Sequence, residues 1–275
     1  MSGRRMRPLC AMARALCIVG AAALGAASAA RAQSDIGVVL MHGKQAMPDR
    51  PPGLADIARQ LQHAGIKVVR PHMPWAAGEW ERISITVEGA HALVDAQVAR
   101  LRAQGARRIV VGGHSLGANV ALSYAVARDN VAAVLMLGPG HSPGFSFRTM
   151  PDYRAALERA AKMVGAGQGA QPFSGPDNNQ GRTFTVSTTA EIYVNWMSPR
   201  RLANMQRQAP LLPARTPLLL AIGAQDPAVG VAESSIYQPA AKHPYSKYIA
   251  APGDHRSALG SVASQVVAWV RGLPR

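Results

Sequence analysis

Arg107-Arg108-Ile109-Val110-Val111-Gly112-Gly113-His114-Ser115-Leu116-Gly117-Ala118-Asn119-Val120-Ala121-Leu122 runs from β-branched residues through the pentapeptide GHSLG into an alanine-rich stretch. The pattern predicts a strand turning sharply into a helix, with Ser115 at the corner. Glycine at 113 and 117 suits a turn too tight for side chains. The N-terminus of the helix behind the hydroxyl favours negative charge developing there. A serine so placed is a candidate nucleophile.

The pentapeptide alone is weak evidence, because the chain holds a second match, Gly140-His141-Ser142-Pro143-Gly144. Context separates the two. The residue after the nucleophile must offer a backbone N–H to the oxyanion, and Pro143 has none. Nor does a helical pattern follow Ser142; Phe145-Ser146-Phe147-Arg148 reads as loop.

Outward from this elbow the chain alternates. Apolar runs at 35–41, 66–70, 107–111, 131–137, 218–222 and 245–250 read as strands, separated by helical patterns at 51–64, 87–103, 115–128, near 229–240 and up to about 271. Six such strands imply a mostly parallel, doubly wound α/β sheet. Right-handed crossovers then bring the loops after the strands together at one edge. His42 to Gln45, Ser115, Gly138 to His141, Asp226 and His255 all fall in those loops. Between residues 141 and 216 the alternation breaks. Helical stretches at 152–164 and 190–207 flank the polar segment 165–189, which reads as an inserted helical cap.

A serine needs a base and an orienting acid before it can attack. The order Ser115, Asp226, His255, each at a strand end, resembles the α/β-hydrolase superfamily. The resemblance runs through His42-Gly43, GHSLG, the acid in GAQD and the histidine in GDH, and covers nearly all the chain after its first 32 residues. It departs in lacking two strands before the His42-Gly43 loop, as small secreted members do. It implies Asp226 as acid and His255 as base. The oxyanion donors expected are the N–H groups of Leu116 and of Lys44, with Gln45 next, braced by His42 and Gly43. Asp254 is a poor orienter, since adjacent side chains on a short turn do not face each other.

The resemblance implies hydrolysis of a small carboxylic ester or thioester through an acyl-enzyme. Acyl transfer, amide or lactone cleavage, and a catalytically silent binding protein on the same fold are the alternatives. Trp75 and Trp80 read equally as walls of an acyl pocket or as packing residues; His141 and Trp196 belong to the same candidate pocket. Histidine spacing suggests no metal site, and no cofactor is expected.

Residues 1–32 read as a cleaved secretory signal: Arg4, Arg5 and Arg7, then an apolar stretch, then Ala30-Arg31-Ala32. The domain expected after it spans 33–275, in the periplasm or secreted. Both cysteines, Cys10 and Cys17, lie in the signal, which excludes a thiol nucleophile afterwards. Beyond residue 32 lie 25 of the 30 basic residues and all 15 acidic ones, a net charge of +10. The arginines are scattered and no recognition module accompanies them, so a solvated basic surface is expected, with neither a nucleic-acid partner nor stable membrane association.

Overall fold

The structure, a computed structural model, describes residues 34–274. The expected signal segment lies outside the described residues. In chain order the elements are β1 (Ile36–Met41), α1 (Pro52–His63), β2 (Lys67–Val69), α2 (Val87–Ala103), β3 (Arg108–Ser115), α3 (Leu116–Ala127) and β4 (Ala133–Pro139). Then come α4 (Pro143–Thr149), α5 (Pro151–Gly165), β5 (Pro172–Asn179), β6 (Arg182–Thr189), α6 (Ala190–Met197) and α7 (Met205–Gln208). The chain closes with β7 (Leu218–Gly223), α8 (Val229–Ala232), α9 (Gln238–Ala240), β8 (Lys247–Ala251) and α10 (Ala258–Arg271).

Six strands form one sheet in the order β2-β1-β3-β4-β7-β8, and every pairing in it is parallel. Side chains alternate between its two faces, as a pleated strand requires. Ile36, Val38 and Leu40 meet Leu54, Ile57 and Leu61 of α1 and Val262, Val266 and Trp269 of α10. Val39, Met41, Ile109 and Val111 face the other way, towards α2 and α3. Each such fully buried side chain contributes about 1.5–3 kcal/mol. Arg108, at the start of β3, binds Asp35 at 2.7 Å and the Leu273 carbonyl at 2.8 Å, tying both ends of the fold together.

The segment between β4 and β7 differs from the expectation. The polar stretch 165–189 is not a loop but holds the antiparallel hairpin β5–β6, so the insertion is not purely helical. Its two-residue connection, Gln180-Gly181, has φ 52° and 77°, the geometry that matches strand twist. The helix expected over 190–207 stops at Met197, where Ser198-Pro199 breaks it, and resumes only briefly as α7. Phe145 to Arg148, read as loop from sequence, lie in the short helix α4, entered through Pro143 in its first turn. Tyr153, Ala156, Phe173, Val186, Tyr193 and Trp196 of this insertion join the same core as α2 and α3.

Candidate active site

At the β3–α3 junction Ser115 has φ 56° and ψ −117°, a region that L-residues rarely occupy. Two close approaches permit the turn. A Cβ at Gly113 would lie 2.6 Å from the Met41 carbonyl oxygen, and one at Gly117 would lie equally close to it. Gly43 and Gly140 crowd the serine itself: a Cβ on Gly43 would sit 3.0 Å from Ser115 Cβ, and one on Gly140 would fall 2.5 Å from Ser115 Oγ. Leu116 begins α3, so its N–H belongs to the orphan donors of a helix start. Ser142 has no such geometry, with φ −117° and ψ 82°.

Asp226 and His255 stand beyond the ends of β7 and β8. Asp226 Oδ2 accepts a 2.7 Å hydrogen bond from His255 Nδ1, both side chains being nearly buried. The Ala228 N–H donates to the other carboxylate oxygen at 2.9 Å. Burial pushes the Asp226 carboxyl up, but the bonds from His255 and Ala228 outweigh it and hold the pKa below the ordinary value. The acid therefore stays ionised, and an imidazole donating from Nδ1 leaves Nε2 as the acceptor. Asp254 faces its own turn instead, Oδ1 accepting from the N–H groups of Arg256 and Ser257 and from the Ser257 hydroxyl.

His114, which sequence reasoning passed over, links the two halves. Its Nε2 donates to the His255 carbonyl at 2.9 Å, and the two rings lie 4.7 Å apart. Burial first, then the neighbouring His255, lowers its pKa to about 3, so it is neutral. Its position between Gly113 and Ser115 in the pentapeptide was the signal available. Gly138, at φ 48°, leaves room for the same His255 backbone and ring.

The loop after β1 is held from every side. His42 Nδ1 donates to the Gly43 carbonyl at 2.9 Å, and Nε2 accepts from the Met73 N–H at 3.1 Å. That fixes the tautomer and the neutral state, and burial lowers the pKa accordingly. The His42 carbonyl accepts from the Trp75 indole at 2.9 Å. Gln45 gives its N–H to the Trp75 carbonyl at 2.8 Å, which removes it as an oxyanion donor. The Lys44 N–H has no acceptor among the described residues.

The Lys44 side chain makes a contact that the sequence did not suggest. Its ammonium, almost wholly buried, meets Asp177 Oδ2 at 2.5 Å, His141 Nδ1 at 3.0 Å and the Asn178 carbonyl at 3.1 Å. Three donors meet three acceptors, so the group is charged and satisfied. Burial lowers its pKa and Asp177 opposes that; burial raises Asp177, and Lys44, with His141 and the Asn178 N–H, more than reverses it. The Trp80 indole donates to the same Asp177 oxygen at 2.8 Å. Gln45 binds Glu81 and, at 2.8 Å, Asn179. The tip of the β5–β6 hairpin is thus fastened to the loop that follows Gly43.

Trp75, Trp80 and Trp196 are fully buried and pack edge-on, Trp80 and Trp196 at 5.2 Å and Trp75 and Trp196 at 6.1 Å. Of the two sequence readings, packing is the one their burial matches; they present no open wall. His141, at φ 63°, accepts from Lys44 and donates to the Trp196 carbonyl at 3.0 Å; burial and the Lys44 charge lower its pKa to about 4. The open space lies elsewhere. A cavity of about 820 Å³ runs between Lys44–Met47 on one side and Asp254, Arg256 and Ser257 on the other. Among the described residues no cluster suits a metal ion, and no helix is long and apolar enough to cross a membrane.

A parallel sheet with a strained serine at a central strand-to-helix turn, and an Asp–His pair beyond the strands two and three places along, has the architecture of a hydrolase fold. A sequence profile of the alpha/beta hydrolase family matches residues 38–269, and the chain belongs to that family. No curated protein sequence matches it significantly. Similar solved structures include a monoacylglycerol lipase of Paleococcus ferrophilus (17% identity, 86% of this chain and 95% of that one, TM-score 0.61). A Butyrivibrio proteoclasticus protein with ferulic acid bound is similar over 86% and 88% of the chains (18% identity, TM-score 0.60). A thermostable carboxyl esterase of Bacillus coagulans is similar over 86% and 90% (15% identity, TM-score 0.59).

Proposed function

We propose that the protein is an exported serine hydrolase of carboxylic esters or thioesters, with Ser115 as nucleophile, His255 as base and Asp226 as orienting acid. The observation that carries this reading is the 2.7 Å Asp226–His255 bond beyond the same sheet edge at which Ser115 is held in its strained turn. The esterase and lipase names among the structural neighbours agree with it.

In this mechanism Ser115 Oγ attacks the acyl carbon while its proton passes to His255 Nε2. The carbonyl oxygen becomes an oxyanion that accepts from the Leu116 and Lys44 N–H groups; one such donor is typically worth about 3 kcal/mol in the transition state. Collapse breaks the bond to the alcohol or thiol, which leaves with the proton from His255. Water then gives its proton to His255 and its oxygen to the acyl carbon, and the acid departs as Ser115 regains its proton. Asp226 remains ionised throughout and stabilises the imidazolium.

A fluorophosphonate probe tests the assignment. The wild type and Ser142→Ala are expected to label and Ser115→Ala is not; labelling that survives Ser115→Ala, or an unlabelled wild type, sinks it. Export rests on the composition of residues 1–32. Fractionation followed by N-terminal sequencing is expected to find the chain outside the cytoplasm, starting near Gln33; full-length chain in the cytoplasm would refute it.

A further inference from the structure

The cavity lined by Lys44, the residue after Gly43, and by Arg256, the residue after His255, carries charge that the reaction above does not use. Four charged residues line it: Lys44, Arg50, Asp254 and Arg256. Lys44 is already neutralised by Asp177 and buried. The Asp254 carboxylate is fixed by three hydrogen bonds to its own turn. Arg50 and Arg256 are exposed, and neither guanidinium forms an ion pair among the described residues. The cavity therefore keeps one net positive charge and two unengaged guanidinium forks. The lining between them, with Met47, Pro51 and Pro52, is aliphatic.

Position makes this charge relevant to the substrate. One wall is the loop directly after Gly43, which abuts Ser115, and the other holds Arg256, the residue directly after His255. A substrate that extends from Ser115 past the Lys44 N–H or past His255 meets the residues that line this groove. A guanidinium presents a planar pair of donors that matches a carboxylate, and two of them beside an aliphatic floor suit a short carbon chain ending in an anion.

We propose that the groove selects esters carrying a second, ionised carboxylate, the hydrocarbon lying on Met47, Pro51 and Pro52 and the carboxylate within reach of Arg50 and Arg256. This rests on the ester-hydrolase reading and gives that site a substrate class. Exposed guanidinium–carboxylate pairs are weak individually, so the selection expected at low ionic strength is about threefold to tenfold in kcat/KM, and salt screens it.

Two matched pairs of substrates test it. Mono-p-nitrophenyl adipate against p-nitrophenyl hexanoate places the carboxylate on the acyl side; 4-carboxyphenyl hexanoate against phenyl hexanoate places it on the alcohol side. At least one pair is expected to show the preference, which should shrink in 1 M salt, where the Debye length is about 3 Å. The same preference should reverse in Arg50→Glu and Arg256→Glu. Because Arg256 adjoins His255, the ratio within a pair is the readout, and Arg50→Glu carries the test if the other variant folds poorly. If no ester is turned over, the hydrolase reading fails and this inference with it. If the neutral esters are hydrolysed without preference for the carboxylate, or with one that survives Arg50→Glu and high salt, the inference is overturned and the hydrolase stands.

Discussion

Ser115 is held at φ 56°, a conformation that costs on the order of 1–3 kcal/mol in an L-residue. Removing its hydroxyl and removing its strain are therefore separable. Ser115→Ala keeps the Cβ and the strain, and is expected to lower ester turnover by about 10⁴-fold or more with little change in melting temperature. Ser115→Gly is equally inactive but relieves the backbone, so it should melt above the alanine variant despite the entropy that glycine adds to the unfolded chain. Calorimetry on the pair decides; a glycine variant that melts below the alanine variant by the ordinary glycine cost of about 0.5–1 kcal/mol would mean that the turn stores no strain. At this scale the sequence was legible where chemistry is local. The pentapeptide, the proline that disqualifies Ser142, and Asp226 and His255 as strand-end residues could all be read directly. Asp177 could not, and His114 offered only its place in the pentapeptide, because each acquires its role from a residue more than a hundred positions away.

The β5–β6 hairpin shows why one element was missed. Residues 173, 175 and 177 alternate inward as strand geometry requires, but they are phenylalanine, glycine and aspartate. Glycine is needed at 175 because a Cβ would lie 2.6 Å from the Tyr193 ring, and Asp177 is inside to meet Lys44. The period of two exists in the backbone without a matching hydrophobic period in the sequence. The parallel strands, being buried on both faces, announce themselves as unbroken apolar runs. Asp177→Asn should leave the Lys44 ammonium buried without its counter-charge, at a cost of about 3–5 kcal/mol. It should also slow fluorophosphonate labelling, since the tip no longer steadies the Lys44 N–H. Lys44→Met with Asp177→Leu removes both charges and is expected to recover much of the stability but not the labelling rate. Denaturant melts and labelling kinetics of the two variants against wild type separate these effects; an Asp177→Asn variant as stable as wild type would dismiss the hairpin as a clamp.

Across the whole molecule, burial of neutral histidines sets an acid limit. His91 donates or accepts at 2.9 Å with Ser123 beneath α2, and burial lowers its pKa to about 4. An unfolded chain takes up that proton below about pH 6.5, whereas the fold resists until about pH 4, so stability falls as pH drops through that window. By pH 5 the loss from His91 alone is about 2 kcal/mol, and His114 adds to it in the same direction. Melting temperature should accordingly decline as pH falls through that window. His91→Gln is expected to flatten that decline; an unchanged slope would place the acid sensitivity elsewhere.

Arg108 grips Asp35 with its guanidinium and reaches the Leu273 carbonyl with the same group. It does so where β3 begins, whereas Ser115 stands where that strand ends. One side chain thus buckles the first and last turns of the fold together on the rim opposite the reactive loops. Cargo, a tag or a surface tether attached at either end hangs away from the groove, and a short bridge between residues 274 and 34 would close the chain into a ring without crossing the path by which substrate arrives.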